Sequence, residues 1–142
     1  MSLDLDALET SFDLVAPRGD ELMDIFYSRL FTAAPAVRPL FPAGDLQRQK
    51  TMLLATLVLL RKSVRNFEAI VPKLRDLGAR HVAYGAQPEH YPVVGDILIA
   101  SMAEIAGSAW TPAYAQAWNE AFAIVTTAML EGAESAQLEA AA

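Results

Sequence analysis

The chain has 142 residues, 54% of them apolar, with 17 acidic and 11 basic side chains for a net charge of −6, two histidines and no cysteine. That is material for one folded domain, residues 1–142, with a substantial interior, and it excludes a disordered chain, disulfides, iron–sulfur clusters and any thiolate-held metal. The acidic balance argues against a nucleic-acid partner, and the one local basic cluster, Arg61, Lys62 and Arg65, reads as a solvated helix face.

The first residues, Met-Ser-Leu-Asp-Leu-Asp, lack the basic and apolar regions of a signal peptide. Near the middle the longest apolar run is Met52 to Leu60, interrupted by Thr56, which falls short of the roughly 20 residues a membrane span needs. The expectation is a soluble, cytoplasmic protein with no membrane span.

Proline and glycine cut the rest into helix-length pieces, and no piece shows strict two-residue alternation between hairpin turns. Leu5, Leu8, Phe12 and Val15 step by 3, 4 and 3, which predicts a first amphipathic helix ending before Pro17. Gly19 and Asp20 open a second, carried by Leu22, Ile25, Phe26, Arg29 and Leu30 to Ala34. Pro35, Pro39 and Pro42 punctuate a compact stretch, Pro35 to Phe41, expected to form one irregular or 3₁₀ turn. Asp45 begins a long helix through Asn66, apolar on nearly all sides at its centre and so buried between others. Pro88 and Pro92 bracket a turn, and Val93 to Ile105 reads as a further helix ending at Gly107. Thr111-Pro112 starts the last helix, with threonine as its cap and proline in its first position. Trp118, Phe122, Val125 and Met129 form its inner face, Gly132 is its expected stop, and the alanine-rich tail from about residue 135 is expected to fray. The fold class is all-α, with six to eight helices.

Both histidines fall in the stretch Leu74 to Gly95. On a helix over Leu74 to Ala83, residues Leu74, Leu77, His81 and Tyr84 share one face, so an imidazole sits on the stripe that should meet the core. A buried imidazole needs a partner for at least one nitrogen, either a hydrogen bond or a metal. In a helical protein without cysteine, the metal reading is haem iron held by a histidine, with other helices supplying an apolar pocket and a few polar groups. Tyr27, Phe41, Gln49 and Leu53 are candidates for that opposite wall; each also has an ordinary structural account, as core or as solvated helix surface. His90, beside Pro88 and Glu89, reads as a surface residue. Spacing reaches a haem-like possibility and stops there.

A family resemblance goes further. Phe26-Tyr27-x-x-Leu30-Phe31-x-x-x-Pro35-x-Val37-Arg38-Pro39-Leu40-Phe41 resembles the second helix and corner of single-domain bacterial haemoglobins and of the globin domain of flavohaemoglobins. So do the Gln49 and Leu53 pair, Ile70-Val71-Pro72, Arg80-His81, and Glu89-His90-Tyr91-Pro92-Val93-Val94-Gly95. Ala117-Trp118 followed by Ala121-Phe122 fits the family's last helix. The resemblance runs from about Leu5 to Leu130.

It implies a globin fold enclosing haem b, with His81 as the proximal iron ligand and Phe41 stacked on the porphyrin. Tyr27 would donate a hydrogen bond to bound oxygen, with Gln49 at the distal gate and Leu53 packed over the ligand. Arg80 takes the basic position beside the proximal histidine, Tyr91 orients the imidazole, and Val94 belongs to the same cofactor-contacting stretch. The family's proximal glutamate is not matched: its place falls on Ser135, with Glu134 beside it and Glu131 a turn earlier. The iron is expected to be five-coordinate when ferrous.

The implied function is reversible binding of O₂ for oxygen binding or transport, with NO and CO as other ligands. An alternative is a nitric oxide dioxygenase that detoxifies NO with electrons from a separate reductase, no reductase being attached before Ala142. A third reading, of another class, is a haem-free helical interaction protein.

Overall fold

The computed structural model describes residues 3–141. Among the described residues six α-helices follow one another: α1 (Leu5–Val15), α2 (Gly19–Ala33), α3 (Leu46–Ser63), α4 (Val71–Ala83), α5 (His90–Ala106) and α6 (Pro112–Ala141). Short 3₁₀ segments join several of them, and there is no strand among the described residues. The all-α expectation holds, at the lower end of the expected helix count.

Asp4 caps α1, its carboxylate accepting the Ala7 N–H at 3.0 Å. Leu8, Phe12 and Val15 go into the core, as their spacing requires. A buried polar link then ties the two ends of the chain: the Trp118 indole N–H donates to the Ser11 hydroxyl at 2.8 Å, and Ser11 donates to the Leu8 carbonyl. Both partners are thus satisfied inside the core, where an unpaired one would be costly.

The helix expected through Asn66 is shorter. α3 ends at Ser63 and continues as a 3₁₀ segment, Val64–Ile70, bent at Asn66 (φ −143°, ψ 54°). Nor is its centre buried all round: only Leu57 and Leu60 are fully covered, while Met52 is largely exposed. The basic cluster at its end is not a free solvated face either. Arg61 bonds Asp13 and Glu9, and Arg65 bonds Glu9 and Asp6, so α1 is strapped to the end of α3. Pairs this open to solvent add little individually.

α5 starts at His90, three residues earlier than its apolar run. Pro92 lies in its first turn, where no N–H is needed. His90 is half-buried, and its Nδ1 accepts the Gln87 N–H at 3.0 Å, which closes the turn before α5. Gly107, at φ 59°, then ends the helix. The stretch His90–Ala109 is 20 residues with a mean hydropathy of 1.3, long and apolar enough by composition to cross a membrane. Here it packs against α1, α2 and α6, with Leu98, Met102 and Ile105 in the core and 28% of the apolar stretch buried.

α6 corrects two expectations. Its start is as read, with the Thr111 hydroxyl accepting the Tyr114 N–H at 3.2 Å. It does not stop at Gly132, however, and it remains helical through residue 135 to Ala141 in place of fraying. Gly132 is instead where α6 presses on α4. A Cβ on Gly132 would lie 1.8 Å from the Arg75 carbonyl oxygen, and a Cβ on Gly78 would lie 1.9 Å from that of Met129. The two backbones touch through reciprocal glycine notches, and this is the most extensive helix pair in the molecule.

Those distances decide a prediction. Replacing glycine by alanine inside a helix normally gains about 0.5–1 kcal/mol. Gly95→Ala on α5, where a Cβ would meet Phe122 at an ordinary 3.6 Å, should follow that rule. Gly78→Ala should reverse it, lowering the urea midpoint or preventing folding, because α4 must move off α6. Equal stability of the two variants would disprove the notch.

Candidate functional site

The last turn of α4 carries His81, three residues beyond the Gly78 notch. Its ring is half-buried, and Nδ1 lies 2.8 Å from the Leu77 carbonyl oxygen. A carbonyl can only accept, so Nδ1 carries the proton and donates it; Nε2 is left with its lone pair. Burial pulls the imidazole pKa below its ordinary value, opposed in part by the Leu77 carbonyl. The result is a neutral, oriented imidazole, the form that ligates a metal.

Two tyrosines flank it. The Tyr91 ring centroid is 6.4 Å from that of His81, and the Tyr84 centroid is 5.4 Å away. Tyr84 is 52% exposed, so the inward stripe ends at His81. Tyr91, on the first turn of α5, is half-buried, and burial raises its phenol pKa so that it keeps its proton. Beyond it opens a cavity of about 230 Å³ lined by Val82, Gln87, Tyr91, Leu130, Glu134 and Gln137 among others. Glu134, itself exposed, therefore borders the same space as Tyr91, whereas Ser135 lies on another side of α6. Glu131 is engaged elsewhere, paired with Arg75 at 2.8 Å.

A second cluster forms where α2 meets the proline-rich corner. Tyr27 is 4% exposed and packs by its edges against Phe26 (centroids 4.9 Å apart) and Phe41 (5.6 Å), with Phe31 at 5.9 Å. Burial pushes the Tyr27 phenol up to about 12, so its hydroxyl remains a donor at neutral pH. The 3₁₀ segment Pro35–Leu40 delivers Phe41 to this cluster. Arg38 pins it there: its guanidinium stacks 4.8 Å over the Phe31 ring and donates to the Phe41 carbonyl at 2.7 Å. On α3, Gln49 and Leu53 are half-buried one turn apart, and Gln47 faces a different groove, between α2 and α3. Val94 is half-buried on α5, one turn after Tyr91. Arg80 is largely exposed and paired with Asp76 at 2.9 Å.

The structure thus gathers Tyr27 with Phe41 and His81 with Tyr91, and leaves Arg80 on the outer surface. Sequence reasoning passed over the Leu77 carbonyl, although a helical histidine always has an i−4 carbonyl beneath it. It also gave no weight to Phe31 and Arg38 as parts of the site; Phe31, four residues after Tyr27, was recoverable from helix spacing.

A family model for globins matches residues 24–129. The chain belongs to the globin family. A flavohemoprotein of Rhizobium meliloti is 30% identical over 132 residues, 92% of this chain and 32% of that protein. The chain spans about a third of the length of the curated relatives it matches. Among solved structures, a bacterial globin from Campylobacter jejuni superposes with a TM-score of 0.80 at 21% identity, over 92% of this chain and 94% of that one. An engineered carbene transferase, built on a Rhodothermus marinus protein described as a nitric oxide dioxygenase, gives 0.82 at 23% identity, over 99% and 100%. At those identities the two structures establish the shared fold.

The buried phenol makes one prediction about this globin. Because the Tyr27 pKa is raised to about 12 from an ordinary 10.0, its stabilising contribution is complete below pH 10 and is lost as pH climbs from there through about 12. Two units correspond to about 2–3 kcal/mol. Urea midpoints measured across that window should fall less steeply for Tyr27→Phe than for the native chain; parallel curves would mean that the phenol ionises without cost.

Proposed function

We propose that this globin holds haem b through His81 and binds O₂ reversibly, with NO and CO as further ligands. The observation that carries the reading is the Nδ1 bond from His81 to Leu77, which leaves the Nε2 lone pair free on a neutral, half-buried ring. A merely structural core histidine needs no such free nitrogen, while an axial ligand does. Relatives named flavohemoproteins support the choice of cofactor. Bound haem would supply an open coordination position for a diatomic gas.

The remaining parts are what this chain's own groups do. Tyr27 keeps its proton in an aromatic, water-poor surrounding and can donate a hydrogen bond to a gas ligand carrying partial negative charge, an interaction stronger there than in water. Phe41 and Leu53 supply apolar wall, and Gln49 stands at the rim as the distal gate. Val94 belongs to the wall on α5. Tyr91 orients the imidazole from the other side, and Arg80 adds positive charge at the outer edge. The single-domain haemoglobin reading has residues for every role except the matched glutamate.

A second reading is supported by the cavity that Tyr91 and Glu134 share. A carboxylate bordering the proximal tyrosine suits a more electron-rich imidazole, and so a nitric oxide dioxygenase drawing electrons from a separate reductase. The net charge of −6 would suit a basic redox partner.

Absorption spectra of the purified protein test both. A Soret band that shifts on reduction, and again to a stable oxy form in air, is the expected result for gas binding. Reduced haem that oxidises at once in air would favour the dioxygenase, to be followed by NO consumption with an added reductase. No Soret band after haem addition would leave the haem-free interaction protein. Tyr27→Phe should keep haem and raise the O₂ dissociation rate roughly 10- to 150-fold, since a charge-assisted hydrogen bond is worth about 1.5–3 kcal/mol. His81→Ala should abolish the five-coordinate ferrous spectrum, and an unaltered one would remove His81 from the role.

A further inference from the structure

Arg38 is half-buried in the middle of the proline-punctuated corner. Pro35, Pro39 and Pro42 take three N–H donors out of this short segment, which thins its backbone hydrogen bonding. The Phe41 peptide is nevertheless held at both ends, and by one residue. Its N–H donates to the Arg38 carbonyl at 3.1 Å, and its carbonyl accepts from Arg38 Nη1 at 2.7 Å. A hydrogen bond from an ionised donor at that length is of the stronger kind.

The same guanidinium lies 4.8 Å over the Phe31 ring. A planar guanidinium can lay its face on a ring and still donate from its edge. Phe31 and Phe41 meet with centroids 5.5 Å apart, and both meet Tyr27, at 5.9 and 5.6 Å. The three rings form a closed triangle, and Arg38 grips two of its corners. Phe26 and Phe31 belong to α2, as Tyr27 does, so Phe41 is the ring of this cluster that another segment supplies. Leu40, beside Phe41, lies against the turn after α4, where a Cβ on Gly85 would come within 3.1 Å of its methyl. Packing seats the corner there, while Arg38 seats it against the triangle.

We infer that Arg38 is a positioning residue for the gas site, setting the direction of the Tyr27 hydroxyl by way of Phe31 and Phe41. The inference rests on the gas-binding reading above and adds to it a residue that acts through the rings. Without this clamp the triangle loosens, and the phenol makes its hydrogen bond to bound gas only part of the time. Misplacing a group costs rate steeply even when the group itself is kept.

The test uses the haem-loaded ferrous protein. Arg38→Met should raise O₂ dissociation about threefold or more, short of the Tyr27→Phe effect, because the donor is misplaced and not removed. A hydrogen bond to bound CO lowers its C–O stretching frequency, so Arg38→Met should add a second band at higher frequency. In the Tyr27→Phe background, Arg38→Met should change dissociation less than about twofold, because the residue it acts through has lost its donor. In the haem-free protein, proton cross-relaxation between the Tyr27 and Phe41 rings should weaken. Arg38→Gln, which also loses the stacked cation, carries the same comparisons if the methionine variant does not fold. Native dissociation with a single native CO band, or an equal rate increase with and without the Tyr27 hydroxyl, overturns the positioning role while leaving gas binding intact. Absence of a Soret band in the native protein overturns the gas-binding reading and this inference with it.

Discussion

Contact between two bare stretches of backbone, at Gly78 and Gly132, is the constraint on which the His81 side of this globin depends. With carbonyl oxygens where side chains would stand, α4 and α6 have no compressible layer between them. Their register and rotation are fixed together, and His81 rides on the same turn-and-a-bit of α4. The Leu77 carbonyl that orients the imidazole belongs to that locked segment too. Arg75 and Glu131 bridge the crossing from outside, but an exposed pair contributes little beside the close packing itself.

The Tyr27 side is built by other means. No backbone contact of this kind holds it; four aromatic rings do, together with an arginine that stacks on one and bonds the backbone of another. Prolines in the corner fix φ where the chain must turn without helix, and so bring Phe41 to the phenol. Burial acts on the two polar groups in opposite directions with one outcome. It lowers the imidazole pKa and raises the phenol pKa, leaving both uncharged near neutrality. Burial thus leaves a lone pair on Nε2 of His81 and a proton on the Tyr27 hydroxyl.

Much of this was legible in the sequence. Pro17 and Pro112 marked real boundaries, and apolar spacing found the inner faces of α1 and α6. The misreadings share a cause. Gly132 looked like a stop because a glycine after a helical run is a common terminator, and only its partner helix reveals the notch. Arg61 and Arg65 looked unpaired because their acids sit some fifty residues earlier, on α1. Asn66 seemed helical because nothing local announces its bend. Tyr84 continued the inward stripe on paper, but α4 ends there and the ring turns outward. Each error concerns a contact between residues distant in sequence, or a backbone change at a helix end, where local pattern carries least information.

The carboxylate near Tyr91 follows from the same geometry. Counting along the chain from Trp118 lands on Ser135, but a helix selects residues by face. Leu130, Ala133, Glu134 and Gln137, which border the cavity, are spaced i, i+3, i+4 and i+7, the signature of a single face. Ser135 lies about 100° further round and is exposed. Because Gly132 fixes how α6 is rotated against α4, that choice is not free to slip by one residue. Tyr91, Gln87, Glu134 and Gln137 are the polar groups that line this space. The α6 face that meets the Tyr91 space therefore presents Glu134 and not Ser135.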